Sequence, residues 1–315
     1  MPMKFRVDWK IFILSCITGL LTILTVNGKT MENTYFTWDE FAGNFGSEIT
    51  SSEAVYNNML KNGLVQYSLL KFDFHFISDR KQNLDALMEF LEGSYPYTFK
   101  EIYRLDDELW ELTGMTNEIP VTADNLMYWA LDMYKRGYEF DAYLDGYGAP
   151  SDKDNQTTPI FSKEKEDEYF DKGIDSYNTG NLSGAIFEWT NALQVNPNEP
   201  NALYSRAIVK NELYTWKAAL RDYDKAIEAA PKFVSAILNR GSLKDDNGDH
   251  KGAIEDYDIV IGLNPTDIES LRKAYFNRGN SYLQLGVSNK YCHDWKMAKE
   301  LGATYADERL NEHCK

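Results

Sequence analysis

The C-terminal half of this 315-residue chain repeats three times without a gap: EDEYFDKGIDSYNTGNLSGAIFEWTNALQVNPNE (166–199), PNALYSRAIVKNELYTWKAALRDYDKAIEAAPKF (200–233) and VSAILNRGSLKDDNGDHKGAIEDYDIVIGLNPTD (234–267). Pro197, Pro231 and Pro265 recur every 34 residues, as do Gly173, Ala207 and Gly241, and Ala192, Ala226 and Val260. A fixed period of this length marks helical hairpins stacked in an array. Proline ends each second helix because it cannot extend the hydrogen-bond ladder. Gly173 and Ala185 fall where two helices cross, and a larger side chain there would push the backbones apart. Gly180-Asn181 and Gly248-Asp249 supply turns inside the units.

A fourth unit is offset. Gly241 to Gly279 is 38 residues, four more than the period. Four residues are about one helical turn, so the surplus around Ile268 to Lys273 predicts a first helix longer at its start. The motif then resumes at Tyr275, Gly279, Gly286, Trp295 and Ala298, and residues 304–315 read as a capping helix over the last apolar face. Residues 166–303 resemble the tetratricopeptide repeat family in three well-matched units and a fourth that departs by its insertion and its missing proline. The resemblance implies a right-handed superhelix whose concave face binds extended peptides or helices. It also implies that Phe170, Tyr204, Ser205, Asn239, Ser242, Phe276, Asn277 and Asn280 line that face. An asparagine side chain can clamp backbone amides, having both donor and acceptor; the same positions also read as solvated polar residues. The lysine and arginine set that grips a C-terminal carboxylate in some family members is not recognisable.

Residues 51–150 form a different unit. Ser52 to Asn62 reads helical, and Leu69 to Ile77 alternates like a half-buried strand. Asp79 to Leu91 is an amphipathic helix with Leu84, Leu87, Met88 and Leu91 on one face. Two strand-like runs follow, Thr98 to Leu105 and Leu109 to Thr116. Next come a helix from Thr122 to Arg136, with Thr122 as N-cap, and a last strand, Phe140 to Leu144, before an Asp145-Gly146 turn. That order is the ferredoxin-like split βαβ. The expected fold class is therefore an α+β ferredoxin-like domain followed by an all-α tetratricopeptide superhelix, joined by a polar linker at 151–165. Residues 51–150 resemble the regulator of ribonuclease activity B family, the ribonuclease E inhibitors. The likeness lies in the element order, the Phe72-Asp73-Phe74-His75-Phe76 strand, and the ending from Phe140 to Gly148. Leu144 and Tyr147 there stand for the family's tyrosine and tryptophan. The resemblance implies an acidic module that binds a protein surface without catalysis, with Asp141, Asp145 and Tyr147 as turn residues first and contacts second.

Ahead of this unit, Lys4, Arg6 and Lys10 precede an apolar run from Ile11 to Val26. The run is shorter than the roughly 20 residues of a membrane span and ends at a small-residue site, Val26-Asn27-Gly28. Residues 1–28 read as a secretory signal peptide cleaved after Gly28; the alternative is an uncleaved anchor through residues 11–26. In both cases the remainder lies outside the cytoplasm, periplasmic or in the cell envelope, with residues 29–50 as a spacer. Cys16 lies inside the apolar core, so it is not a lipidation site. Export conflicts with the cytoplasmic location of ribonuclease E, so the inhibitory activity does not carry over with the resemblance. Cys292 and Cys314 sit 10 and 12 residues either side of Gly302, which puts them level on two antiparallel helices. They read as a disulfide in an oxidising compartment, with two buried thiols as the alternative.

The formal net charge of −16 opposes non-specific binding to nucleic acid or anionic lipid and permits a basic protein partner. His75, His250, His293 and His313 are scattered, without metal-ligand spacing. There is no phosphate loop, GxSxG elbow or dinucleotide fingerprint. No metal, cofactor or catalytic residue is expected, and membrane contact is expected only through the N-terminal segment. The expected function is that of an exported, non-enzymatic interaction protein whose repeat groove binds a polypeptide and whose α+β domain makes a second protein contact. The rival expectation is a cytoplasmic inhibitor of ribonuclease E-type activity.

Overall fold

The computed structural model describes residues 24–26, 29–31, 33–149 and 156–314. The basic region of the expected leader, most of its apolar run, and its cleavage site lie outside the described residues. Short strands β1 (Leu24–Val26) and β2 (Lys29–Met31) pair antiparallel. Among the described residues, no helix is long and apolar enough to cross a membrane. The chain divides into two compact units. One holds the α+β domain with residues 168–188, and the other holds residues 163–167 and 189–315.

The first unit opens with α1 (Trp38–Lys61), which starts at a capping box between Thr37 and Glu40. This helix occupies most of the expected spacer at 29–50. Its second part is the helix read at Ser52 to Asn62; Gly43, Gly46 and the run of serine and threonine at 50–52 hide the part before it, since each lowers intrinsic helix propensity. Its buried stripe of Phe41, Glu48, Ser52, Tyr56 and Met59 has helical spacing. Beyond it come β3 (Leu69–Leu70), β4 (Asp73–Ser78), α2 (Lys81–Ser94), β5 (Thr98–Phe99), β6 (Tyr103–Arg104), β7 (Trp110–Met115), β8 (Ile119–Pro120), α3 (Ala123–Glu139) and β9 (Tyr143–Gly148). The main sheet runs β5-β7-β4-β9, with β6 beside β7 and every pair antiparallel. This is the ferredoxin-like order expected from the sequence. Phe74 and Phe76 of β4 meet Leu84, Leu87 and Leu91 of α2 and Trp129 of α3 in one core. Gly114 of β7 lies directly under the Phe74 ring, where a Cβ would have no room.

Two strands differ from expectation. The run Leu69 to Ile77 is split, because Leu69–Leu70 pairs with β8 while Asp73–Ser78 joins the main sheet. The last strand starts later and runs through Asp145-Gly146, which is not a turn but part of a bulge opposite His75 and Phe76. The turn falls earlier, at Asp141, whose φ of 53° is left-handed.

The helical half has four hairpins and a cap. They are α4 (Glu166–Asn178) with α5 (Leu182–Val195), α6 (Pro200–Glu212) with α7 (Trp216–Ala229), α8 (Val234–Asp246) with α9 (His250–Leu263), and α10 (Ile268–Gln284) with α11 (Ser288–Glu300). The chain closes on α12 (Ala306–His313). Helix α10 has 17 residues against 13 in α6 and α8, the extra turn that the 38-residue spacing predicts. Gly241 and Gly279 lie flat against Tyr257 and Trp295 of their partner helices. The intra-hairpin turns use Gly180, Gly248 and Gly286 in the left-handed region; in the second hairpin Tyr214 stands there, with φ 58°.

One buried carboxylate fixes the start of the first unit. Asp141 accepts hydrogen bonds from the backbone N–H groups of Thr34 (3.1 Å), Tyr35 (2.9 Å) and Phe36 (2.8 Å), and from Arg80 Nη2 (2.6 Å). The segment so held inserts Phe36 among Phe41, Tyr134, Tyr138 and Tyr143. Asp141→Ala removes an acceptor from three backbone donors and a guanidinium, and should cost about 3–5 kcal/mol. Urea denaturation should show the loss, and hydrogen exchange should show residues 34–36 losing protection first.

Candidate interaction surface

The array is built on a recurring ion pair. Arg206 grips Asp222 with Nε and Nη2 (2.8 Å each), Arg240 grips Asp256 (3.0 and 2.5 Å), and Arg278 grips Asp294 (2.8 Å each). The remaining guanidinium nitrogen reaches back to the second helix of the preceding hairpin. It meets Thr190 (3.0 Å), Asp224 (2.8 Å) and Asp258 (2.5 Å) in turn. Lys210 and Lys244 add a second cation to Asp222 and Asp256. The three gripped aspartates are buried. Burial alone would raise the Asp222 carboxyl, but Arg206 and Lys210 hold it below the ordinary range.

The first helices are also tied directly to one another by polar contacts. Asn239 donates to Tyr204 Oη (3.3 Å), Asn277 donates to Ser242 Oγ (3.2 Å), and Ser281 donates to Asp245 (2.8 Å). These contacts use residues that the sequence assigns to the groove, so Asn239 and Asn277 serve the frame with their amide nitrogens. Asn280 accepts from Trp295 Nε1 (3.2 Å), and Phe276 meets Tyr305 edge-on at 4.6 Å. Ser205 departs from expectation: it is 1% exposed, turned inward, and cannot touch a partner. Tyr204, Asn239, Ser242, Phe276, Asn277 and Asn280 are half-buried on the first helices, as is Phe170 of α4. Asp245 also lies 2.7 Å from His250 Nδ1. The Ser281 hydroxyl donates to the aspartate and not to the imidazole, so this trio is not a nucleophile relay.

In the α+β domain, Asp141 is structural and unavailable as a contact. Asp145 is exposed, and Tyr147 is half-buried with its ring edge-on to Trp129 at 5.0 Å. Sequence reasoning missed a polar group on the sheet, where Glu111 accepts from the Tyr103 hydroxyl and lies 2.5 Å from His75 Nδ1. Burial opposes ionisation of Glu111, but those two partners hold its carboxyl below the usual value.

A second missed group fastens the first hairpin turn within this unit. Buried Asp132 of α3 accepts from Ser183 N and Ser183 Oγ (2.8 Å each) at the start of α5, and from the Tyr95 hydroxyl (2.9 Å). Arg136 Nη2 donates to the Gly180 carbonyl (2.7 Å), and the Tyr95 hydroxyl oxygen lies 3.2 Å from the same carbonyl oxygen. Phe187 completes the contact by entering the domain's hydrophobic core. These bonds span 37 to 85 residues of chain, and no local pattern announces them. The predicted linker is also engaged at Gln156, which bonds Val65, Ser68 and Gly63. At the other terminus the structure joins Cys292 and Cys314 in a disulfide, with Cα atoms 5.6 Å apart.

Residues 50–149, the span of the α+β domain, match the family model described as "Regulator of ribonuclease activity B". Several solved structures of helical-repeat proteins are similar to the chain. "Crystal structure of MamA" is 22% identical and covers 45% of this chain and 81% of that one, with a TM-score of 0.41. The PilF structure from Pseudomonas aeruginosa is 19% identical, covering 44% and 62%, with a TM-score of 0.41. YrrB, titled a TPR protein with an unusual peptide-binding site, is 16% identical, covering 58% and 82%, with a TM-score of 0.42. No curated protein matches.

Two measurements test these networks. Asp256→Ala strands Arg240 and Lys244 and should destabilise the array by about 3–5 kcal/mol; restoring balance with Arg240→Met in the same chain should recover part of that loss. In the α+β domain, burial would raise Glu139, yet Lys135 and Arg136 hold its carboxyl down at about 2. A depressed folded value stabilises above the unfolded value and is lost as pH falls through the folded one. Stability should therefore decline between about pH 4.5 and 2, and Glu139→Gln should flatten that decline in acid-denaturation curves.

Proposed function

We propose that this protein is a non-enzymatic scaffold that binds a polypeptide along the row of first helices α6, α8 and α10. The observation that carries this reading is the register of that row. Asn239 to Tyr204, Asn277 to Ser242 and Ser281 to Asp245 hold successive first helices side by side. The result is a continuous surface of half-buried aromatic and polar side chains rather than a closed pocket. Such a surface suits an extended chain, whose affinity grows by adding contacts along its length. The α+β domain would supply a second protein contact, and Asp145 and the sheet residues around His75 remain accessible for it.

The leader residues favour export to the periplasm or cell envelope, with or without an anchor at 11–26. The match of residues 50–149 to regulators of ribonuclease activity favours a second reading, a cytoplasmic inhibitor of ribonuclease E-type activity acting through that domain. A reporter active only after export, fused behind Lys315, separates the two. Activity outside the cytoplasm removes the ribonuclease reading, and activity only inside removes export.

The binding surface itself is tested by site-specific photo-crosslinking in cells. A crosslinker at Asn201 or Asp246, exposed on first helices, should yield partner adducts. The same group at Glu228 or Lys251, exposed on second helices, should yield few. Adducts confined to the second-helix positions would overturn the assignment.

A further inference from the structure

The structure assigns a charge class to the partner of the first-helix surface: a polypeptide segment bearing lysine and arginine, not an acidic segment or a free C-terminal carboxylate. This rests on the groove reading above and names its occupant.

Helices α6, α8 and α10 carry seven lysines and arginines, and each is within ion-pair distance of a carboxylate. Arg206 and Lys210 meet Asp222, Arg240 and Lys244 meet Asp256, Arg278 meets Asp294, and Arg272 and Lys273 meet Glu269. Three of those carboxylates are buried on the second helices, so their cations cannot turn to an outside anion without stranding a charge in the interior. The asparagines are committed in the same sense, since Asn239 and Asn277 give their donor nitrogens to Tyr204 and Ser242. Five of the seven cations are thus committed to buried carboxylates, while Arg272 and Lys273 share the partly exposed Glu269.

What the surface offers instead is acceptors and rings. Asp246 is exposed beside half-buried Asp245, whose Oδ1 is already met by Ser281 and lies 2.7 Å from His250 Nδ1. Two neighbouring carboxylates repel, and an incoming cation relieves that repulsion. Tyr204 packs against Phe233 at 5.0 Å, and Tyr305 is exposed beside Phe276. Lysine and arginine stems pack well on such rings, with the charge over the π face. The fold already contains this arrangement: the Arg278 guanidinium lies 5.5 Å from the Tyr275 ring centre and 5.9 Å from that of Tyr282. The net charge of −16 adds long-range attraction for a basic chain.

The test compares two fluorescent peptides of equal length on the full chain, one repeating Arg-Ala-Lys and one repeating Glu-Ala-Glu. Anisotropy should show the basic peptide binding at least about tenfold tighter, and weakening as salt rises. Asp246→Asn alone, and Asp245→Asn with Asp246→Asn, should each lower its affinity, the pair by about fivefold. Glu228→Gln with Glu255→Gln on the second helices should leave affinity unchanged, and thermal melts confirm that every variant is folded. Tighter binding of the acidic peptide overturns the proposal, as does equal loss in the second-helix variant, which would make the attraction diffuse. If neither peptide binds while first-helix crosslinks persist, the charge class is wrong and the groove stands. If the crosslinks vanish as well, the groove reading falls too.

Discussion

A carboxylate taken out of water must be paired or it will not stay charged, and the helical half of this protein depends on that rule. Asp222, Asp256 and Asp294 sit inside the array, and each is met by an arginine fork from the first helix of its own hairpin. The fork fixes the crossing of the two helices in a way that apolar packing alone does not, because two parallel hydrogen bonds tolerate little rotation. The spare nitrogen then carries the constraint to the hairpin before. The ladder thus coordinates three things together: hairpin geometry, hairpin-to-hairpin register, and the commitment of five first-helix cations to buried carboxylates. Removing one rung would change all three.

The α+β domain solves a parallel problem with single residues. Asp141 gathers the backbone donors of residues 34–36, and Asp132 gathers those at the start of α5. Both are acidic residues on or beside α3, and both hold chain that lies outside the strands and helices of the ferredoxin-like frame. The domain therefore extends past its sheet at both ends, to Asn33 on one side and into the first hairpin on the other. The compact unit follows these anchors and not the repeat boundary at residue 166.

What the sequence made legible follows from how local each signal is. The repeats could be read because period, proline and small residues are written in the chain itself, and the extra turn of α10 followed from simple subtraction. The alternation of Phe72, Phe74 and Phe76 revealed β4. By contrast, only the second part of α1 was read, at Ser52 to Asn62; its first part was hidden by Gly43 and Gly46, because its stability comes from tertiary packing and not from propensity. The bulge at Asp145-Gly146 resembles a turn in sequence, and only the pairing with β4 distinguishes the two. The ladder was visible in principle, since Arg206 and Arg240, and Asp222 and Asp256, are each 34 apart. Reading it as a ladder requires knowing which helix faces cross. The inward turn of Ser205 and the dual use of Asn239 and Asn277 follow from how tightly the first helices pack, which no spacing rule supplies.

The two ends of the array have a consequence for assembly. Stacked helical hairpins with bare terminal faces can add further copies end to end, since each face is a template for the next. Here the last face is closed by α12, whose Ala306 and Leu310 pack with Trp295 and Ala298 and whose far end is joined through Cys314 to Cys292. The first hairpin gives its turn and Phe187 to the α+β domain. End-to-end addition at the last face is therefore opposed by α12 itself, and the turn of the first hairpin is already occupied within its own unit.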